Sequence, residues 1–150
     1  MFSNVVFTTV ISGVLVFLFG QVIQLFVLEK IYKFKEIIGK IDNKLKFYLK
    51  IIKNPGNEAH PLDRLQVCSQ ELLQLSSDLE SYRKQLIFRR KEKDKEIAEA
   101  ANLLIDLHFN VFSKAISASD NNLAKVKKIR ELLNIPDLLE NEKDIKTNVE

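Results

Sequence analysis

The sequence predicts an all-α protein: one long N-terminal transmembrane helix continuing into the cytoplasm, packed with about three further helices in an antiparallel bundle. Three observations predict it. The first charged residue is Glu29, so the chain opens on an uninterrupted apolar run. After it, apolar residues recur at alternating spacings of three and four, the period of one helix face. The 150 residues hold only three Pro and four Gly, so breaks are few and helices long. At 46% hydrophobic and 29% charged, the chain suits an anchored helical domain rather than disorder.

The organisation reads as a transmembrane helix over 1–28, a cytoplasmic helical domain over 29–140 and a flexible tail over 141–150. A helix over 5–28 rises about 36 Å, enough to span a hydrocarbon core with some tilt. Met1-Phe2-Ser3-Asn4 lacks the basic n-region of a secretory signal, and the segment runs into Leu25, Phe26, Val27 and Leu28, so it is expected to stay as a span. Lys30, Lys33, Lys35, Lys40, Lys44 and Lys46 follow at once. The positive-inside rule then expects the N-terminus outside and the C-terminal domain in the cytoplasm of a bacterial inner membrane.

Within the span, Thr9, Gly13, Phe17, Gly20 and Gln24 share one helix face. Small residues let helix backbones approach, and Gln can hydrogen-bond between helices, so this stripe is the expected oligomer surface and is compatible with a pore lining. Beyond the span, Ile31, Phe34, Ile38, Ile41, Leu45, Tyr48 and Ile52 form a heptad seam. Its register extends back through Val10, Gly13, Phe17, Gly20, Gln24 and Val27, predicting one continuous helix over 5–53. Asn54-Pro55-Gly56-Asn57 ends it.

A second helix is expected over 62–90, with Leu65, Cys68, Leu72, Leu75, Leu79, Tyr82 and Leu86 on its seam. The short loop before it predicts an antiparallel neighbour. Its C-terminal end would return to the membrane surface, where Arg89, Arg90 and Lys91 join Lys30, Lys33 and Lys35 in a basic membrane collar. A solvated connector is the other reading, because Glu92, Asp94 and Glu96 alternate with the lysines. The third helix is expected over 94–116, burying Ile97, Ala101, Leu104, Leu107, Val111 and Ala115, with Ile105, Phe112 and Ile116 widening the face. Ser117 to Asn122 reads as a break, with Asp120 as N-cap of a fourth helix that runs to about Asn134.

No catalytic, metal-binding or cofactor-binding constellation is expected. HExxH, CxxC and GxxxxGK[ST] motifs are absent. Cys68 lies on a seam as a small core residue, and the one cysteine fits a reducing compartment. His108 has no helical neighbour to complete a metal site, and is expected to be structural. An enzyme with a small-molecule substrate is not expected.

At Gly20-Gln21-Val22-Ile23-Gln24 through Leu28-Glu29, then Ile38-Gly39-Lys40-Ile41 and Phe47-Tyr48, the chain resembles small bacterial single-span membrane proteins with a cytoplasmic helical domain. Among them it is similar to the accessory membrane proteins of type VI-B CRISPR systems. That resemblance covers about the first third of the chain. It implies a ring-shaped homo-oligomer that forms a membrane pore in antiphage defence, with a CRISPR effector or RNA as partner and a divergent HEPN-like domain. The HEPN ribonuclease motif, Arg with His five residues later, is missing: Leu103 precedes His108 at that spacing and Pro55 precedes His60. The residues alone leave three classes open: a homo-oligomeric membrane assembly, a monomeric or dimeric anchored adaptor, and a nucleic-acid sensor using the basic residues of 83–95.

Overall fold

The computed structural model describes residues 2–57, 60–86, 91–115 and 117–136, apart from the side chains of 2–4, 26 and 27. These residues are helical with no strand among them. In chain order they form α1 (Phe2–Ile23), a π-helical turn (Gln24–Leu28), α2 (Glu29–Phe47), α3 (Leu49–Lys53), α4 (Leu62–Gln85), α5 (Lys91–Asn110) and α6 (Ala118–Leu132). The chain divides into two compact units, Met1–Glu36 and Ile37–Glu150.

The first unit is dominated by α1. Its 19-residue stretch Val5–Ile23 is long and apolar enough to cross a membrane, and none of it is buried. Many of its residues are β-branched, which water would not favour in a helix. Hydrocarbon reverses that preference, because a helix satisfies every backbone group internally. Thr9 does the same for its hydroxyl, donating to the Val5 carbonyl at 2.9 Å.

The expected single regular helix over 5–53 is interrupted twice. At the π-helical turn the Glu29 N–H bonds to the Gln24 carbonyl, five residues back. The wider turn offsets the three-four spacing, so the register from Val10 does not pass unchanged into the lysine-rich segment. At Tyr48 (φ −94°, ψ 7°) the helix breaks again, separating α2 from α3. Of the expected seam, Ile41, Leu45, Tyr48 and Ile52 are buried, whereas Ile31 is exposed and Phe34 half-buried.

The second unit is an up-and-down bundle, and its polar ties show the register of each helix pair. Lys44 reaches Glu71 between α2 and α4. Ser69, Ser76 and Arg83 of α4 meet His108, Ala101 and Asp94 of α5. Asn110 and Asp106 meet Asn122 and Lys125 of α6. α6 returns to the start, with Asn122 on Ile52 and Arg130 on Asp42. Each neighbouring pair is therefore antiparallel, as short connections require.

The α4 seam from Leu65 to Tyr82 is buried throughout, and so are Ile97, Ala101, Leu104, Leu107 and Val111 of the expected α5 stripe. The helix ends differ from the sequence expectation. α4 stops at Gln85, with Leu86 already extended (φ −73°, ψ 116°). α5 runs from Lys91 to Asn110, so Phe112 and Ala115 fall beyond the helix, and both are exposed. Ile116, the third residue expected to widen that face, lies outside the described residues, as does the tail over 141–150. α6 begins at Ala118, inside the expected break. Asp120 sits in its first turn, where a carboxylate favours the helix dipole, and Ser117 holds the cap position without a side-chain hydrogen bond.

One glycine is demanded by the fold. Gly56 has φ +62°, and its N–H bonds to the Val111 carbonyl at 2.9 Å. A Cβ there would stand 2.8 Å from the Ser113 carbonyl oxygen. Gly56→Ala is therefore expected to destabilise the bundle by about 2 kcal/mol, from the left-handed backbone and the clash together. Thermal unfolding followed by circular dichroism checks it.

Candidate functional site

The stripe picked out from the sequence lies on α1 and the first residue of the π-helical turn. At about 100° per residue, Thr9, Gly13, Phe17, Gly20 and Gln24 fall within about 80° of arc. Phe17 is 64% exposed and Gln24 is exposed. A Cβ built on Gly13 or on Gly20 would meet nothing within 4 Å. Packing within the chain therefore gives no reason for either glycine, although in water each weakens a helix by roughly 0.5–1 kcal/mol relative to Ala. Thr9 spends its hydroxyl proton on its own helix, so toward a neighbour it offers a small surface and an acceptor.

The collar residues are distributed between the two units. Lys30, Lys33 and Lys35 lie in the first turns of α2 and Lys91 opens α5. Lys33, Lys35 and Lys91 are exposed and Lys30 is half-buried. Arg89 and Arg90 lie outside the described residues. Other basic residues of 83–95 are engaged within the bundle. Arg83 forks between Glu80 and Asp94 at 3.0–3.1 Å, and Lys93 pairs with Glu96 at 2.5 Å. The Glu80 hydrogen bonds come first among the influences that raise the Arg83 pKa, so this guanidinium is a fixed joint between α4 and α5.

Among the titratable side chains, Cys68 is wholly buried. Burial, then the charge of Glu71, pushes its thiol up to about 12. Ellman's reagent at pH 8 is expected to modify it at least about 100-fold more slowly than a free thiol, because the thiolate is the reacting form. Urea should restore the rate. Fast native labelling would show the site to be open. Tyr48 is also pushed up to about 12, by burial and then by its hydrogen bond to Glu71.

His108 and Ser69 form an interhelical clasp. Ser69 Oγ lies 2.7 Å from His108 Nδ1 and 3.1 Å from the His108 carbonyl, and Nδ1 lies 2.9 Å from the Ser69 carbonyl. With the ring N–H directed at that carbonyl, the hydroxyl donates to the backbone, and both groups hold α4 to α5. Among the described residues no group of three His, Cys, Asp or Glu side chains is placed to hold a metal ion.

The buried polar residues Ser69, Ser76, Asn122 and Arg130 were not singled out by spacing. Asn122 donates to the Ile52 carbonyl at 3.1 Å and accepts from Asn110. Such residues read as surface positions in a one-dimensional pattern, because their partners lie on other helices. Compared with known proteins, the chain matches no family model, no curated protein and no solved structure.

Proposed function

We propose that this chain is a single-span membrane protein that assembles with copies of itself through the Thr9, Gly13, Phe17, Gly20 and Gln24 face of α1, and that the assembly forms a pore. The observation that carries this reading is the pair of glycines with open space where a Cβ would be. In a lipid-facing helix made otherwise of large apolar residues, such positions are where a second helix backbone can approach. Lys30, Lys33 and Lys35 support an orientation with the bundle in the cytoplasm, at anionic headgroups. The resemblance to type VI-B accessory proteins alone supports a role in antiphage defence beside a CRISPR effector or RNA.

Full-length protein in mild detergent is expected to have the mass of several chains, and liposomes containing it should release an entrapped dye. A mass of one chain overturns the assembly. An assembled particle that releases no dye overturns the pore alone.

A second reading, an anchored adaptor of one or two chains, draws on a separate observation. Ile41, Leu45 and Ile52 of the seam are buried inside their own chain, so the bundle itself needs no partner to cover them. The same mass measurement decides between the two.

A further inference from the structure

The second unit has one helix face unlike the others. Along 66–77 of α4 every exposed residue is uncharged: Gln66, Val67, Gln70, Leu73, Gln74 and Ser77. Val67 and Leu73 are 47% and 44% exposed. The exposed positions of α5 include Lys91, Glu92, Lys93, Lys95, Glu99 and Asp106, and those of α6 include Asp120, Lys127, Lys128 and Glu131. In a chain that is 29% charged, three turns of charge-free surface depart from the pattern of its neighbours. The inner side of the same helix is clasped to α5 through Ser69, Ser76 and Arg83. The outer side is thus a fixed platform, and docking on it orders little further.

Resting on the reading that the chain self-associates, we infer that this α4 face is a contact surface for a second copy of the same chain. Depletion of charge is the compositional mark of the buried centre of an interface. The choice of occupant follows from symmetry. In a closed assembly of identical chains a self-paired face meets its own residues. A lysine or glutamate there would oppose its own like charge, which costs several kcal/mol. A glutamine amide donates and accepts, as does a serine hydroxyl, so each can hydrogen-bond to its own copy. Val67 and Leu73 add apolar area, and Gln74, which donates to Asp78 at 2.8 Å, keeps its carbonyl oxygen as an acceptor. The charged faces of α5 and α6 lack this self-complementarity. Two contacts on one chain, on α1 and on α4, would reinforce each other, since the first makes the second intramolecular.

The test uses full-length protein in mild detergent with single cysteines added at exposed positions: Gln70→Cys and Ser77→Cys on α4, and Lys127→Cys on α6 as control. A short bis-maleimide is expected to link Gln70→Cys or Ser77→Cys chains into covalent dimers and to leave Lys127→Cys chains single. Leu73→Lys is expected to weaken association at least tenfold, while Leu73→Met leaves it unchanged. Circular dichroism confirms that each variant folds. A particle of several chains that yields no α4 cross-link and ignores Leu73→Lys overturns the α4 surface and leaves assembly through α1 standing. A cross-linked particle indifferent to Gly13→Ile and Gly20→Ile supports α4 and removes the α1 stripe. A single-chain wild type removes both.

Discussion

Arg130→Met is expected to lower the stability of the bundle by about 3 kcal/mol, the lower end of the range for removing one partner of a buried ion pair. The Arg130 side chain is 4% exposed. Its Nη1 lies 2.6 Å from Asp42 Oδ1, 88 residues away, and its Nε lies 3.2 Å from the Pro136 carbonyl, which Nη2 also reaches. Methionine fills much of the volume but donates nothing. Asp42 would keep only Lys46, at 2.8 Å, and the Pro136 carbonyl would lose its two donors. For a bundle of this size the loss lowers Tm by more than about 10 °C.

The pH dependence has a definite sign. Burial alone would raise the Asp42 pKa, but hydrogen bonds from Lys46 and Arg130, backed by their charges, outweigh it and hold the carboxyl below the ordinary carboxylate value. A depressed carboxylate contributes stability above its unfolded pKa and loses it as pH falls through the folded one. The gap between wild type and Arg130→Met should therefore be widest near neutrality and should narrow below about pH 4. Urea midpoints at pH 7 and pH 3 measure it. An equal gap at both values would separate the loss from the Asp42 charge.

The second large effect is expected in the membrane. Gly13→Ile and Gly20→Ile should each weaken self-association at least tenfold, or about 1.4 kcal/mol, and should reduce dye release in step. Helix content should hold, because the new side chain meets nothing of its own chain within 4 Å of its Cβ. Leu15→Ile, on the other side of α1, changes shape without changing the stripe and should leave particle mass alone. Unchanged mass in both glycine variants would sink assembly through this face.

Much of this was legible from residue order, and the reason is periodic. The absence of charge before Glu29 is a one-dimensional property, and so is the apolar length of α1. The three-four spacing of Leu65, Cys68, Leu72, Leu75, Leu79 and Tyr82 places them on one face of any helix they form, and all six are buried. The stripe of α1 was legible for the same reason. What spacing did not show is that Gly13 and Gly20 are unneeded by their own chain, since that depends on which atoms lie nearby.

By itself, then, the amino-acid order determined an all-helical chain, one apolar helix able to span a membrane, and the inward faces of the bundle. Local periodicity and composition act within a few turns, where sequence neighbours are spatial neighbours. Only the tertiary structure decided the partners across helices: Arg130 with Asp42, Asn122 with the Ile52 carbonyl, Ser69 with His108. It also decided the departures from regularity at Gln24–Leu28 and Tyr48, and the exposure of Phe112, 42% open to solvent just beyond the end of α5. A buried polar group is satisfied by whatever donor or acceptor the packing brings within about 3 Å, and that distance is settled in three dimensions rather than along the chain.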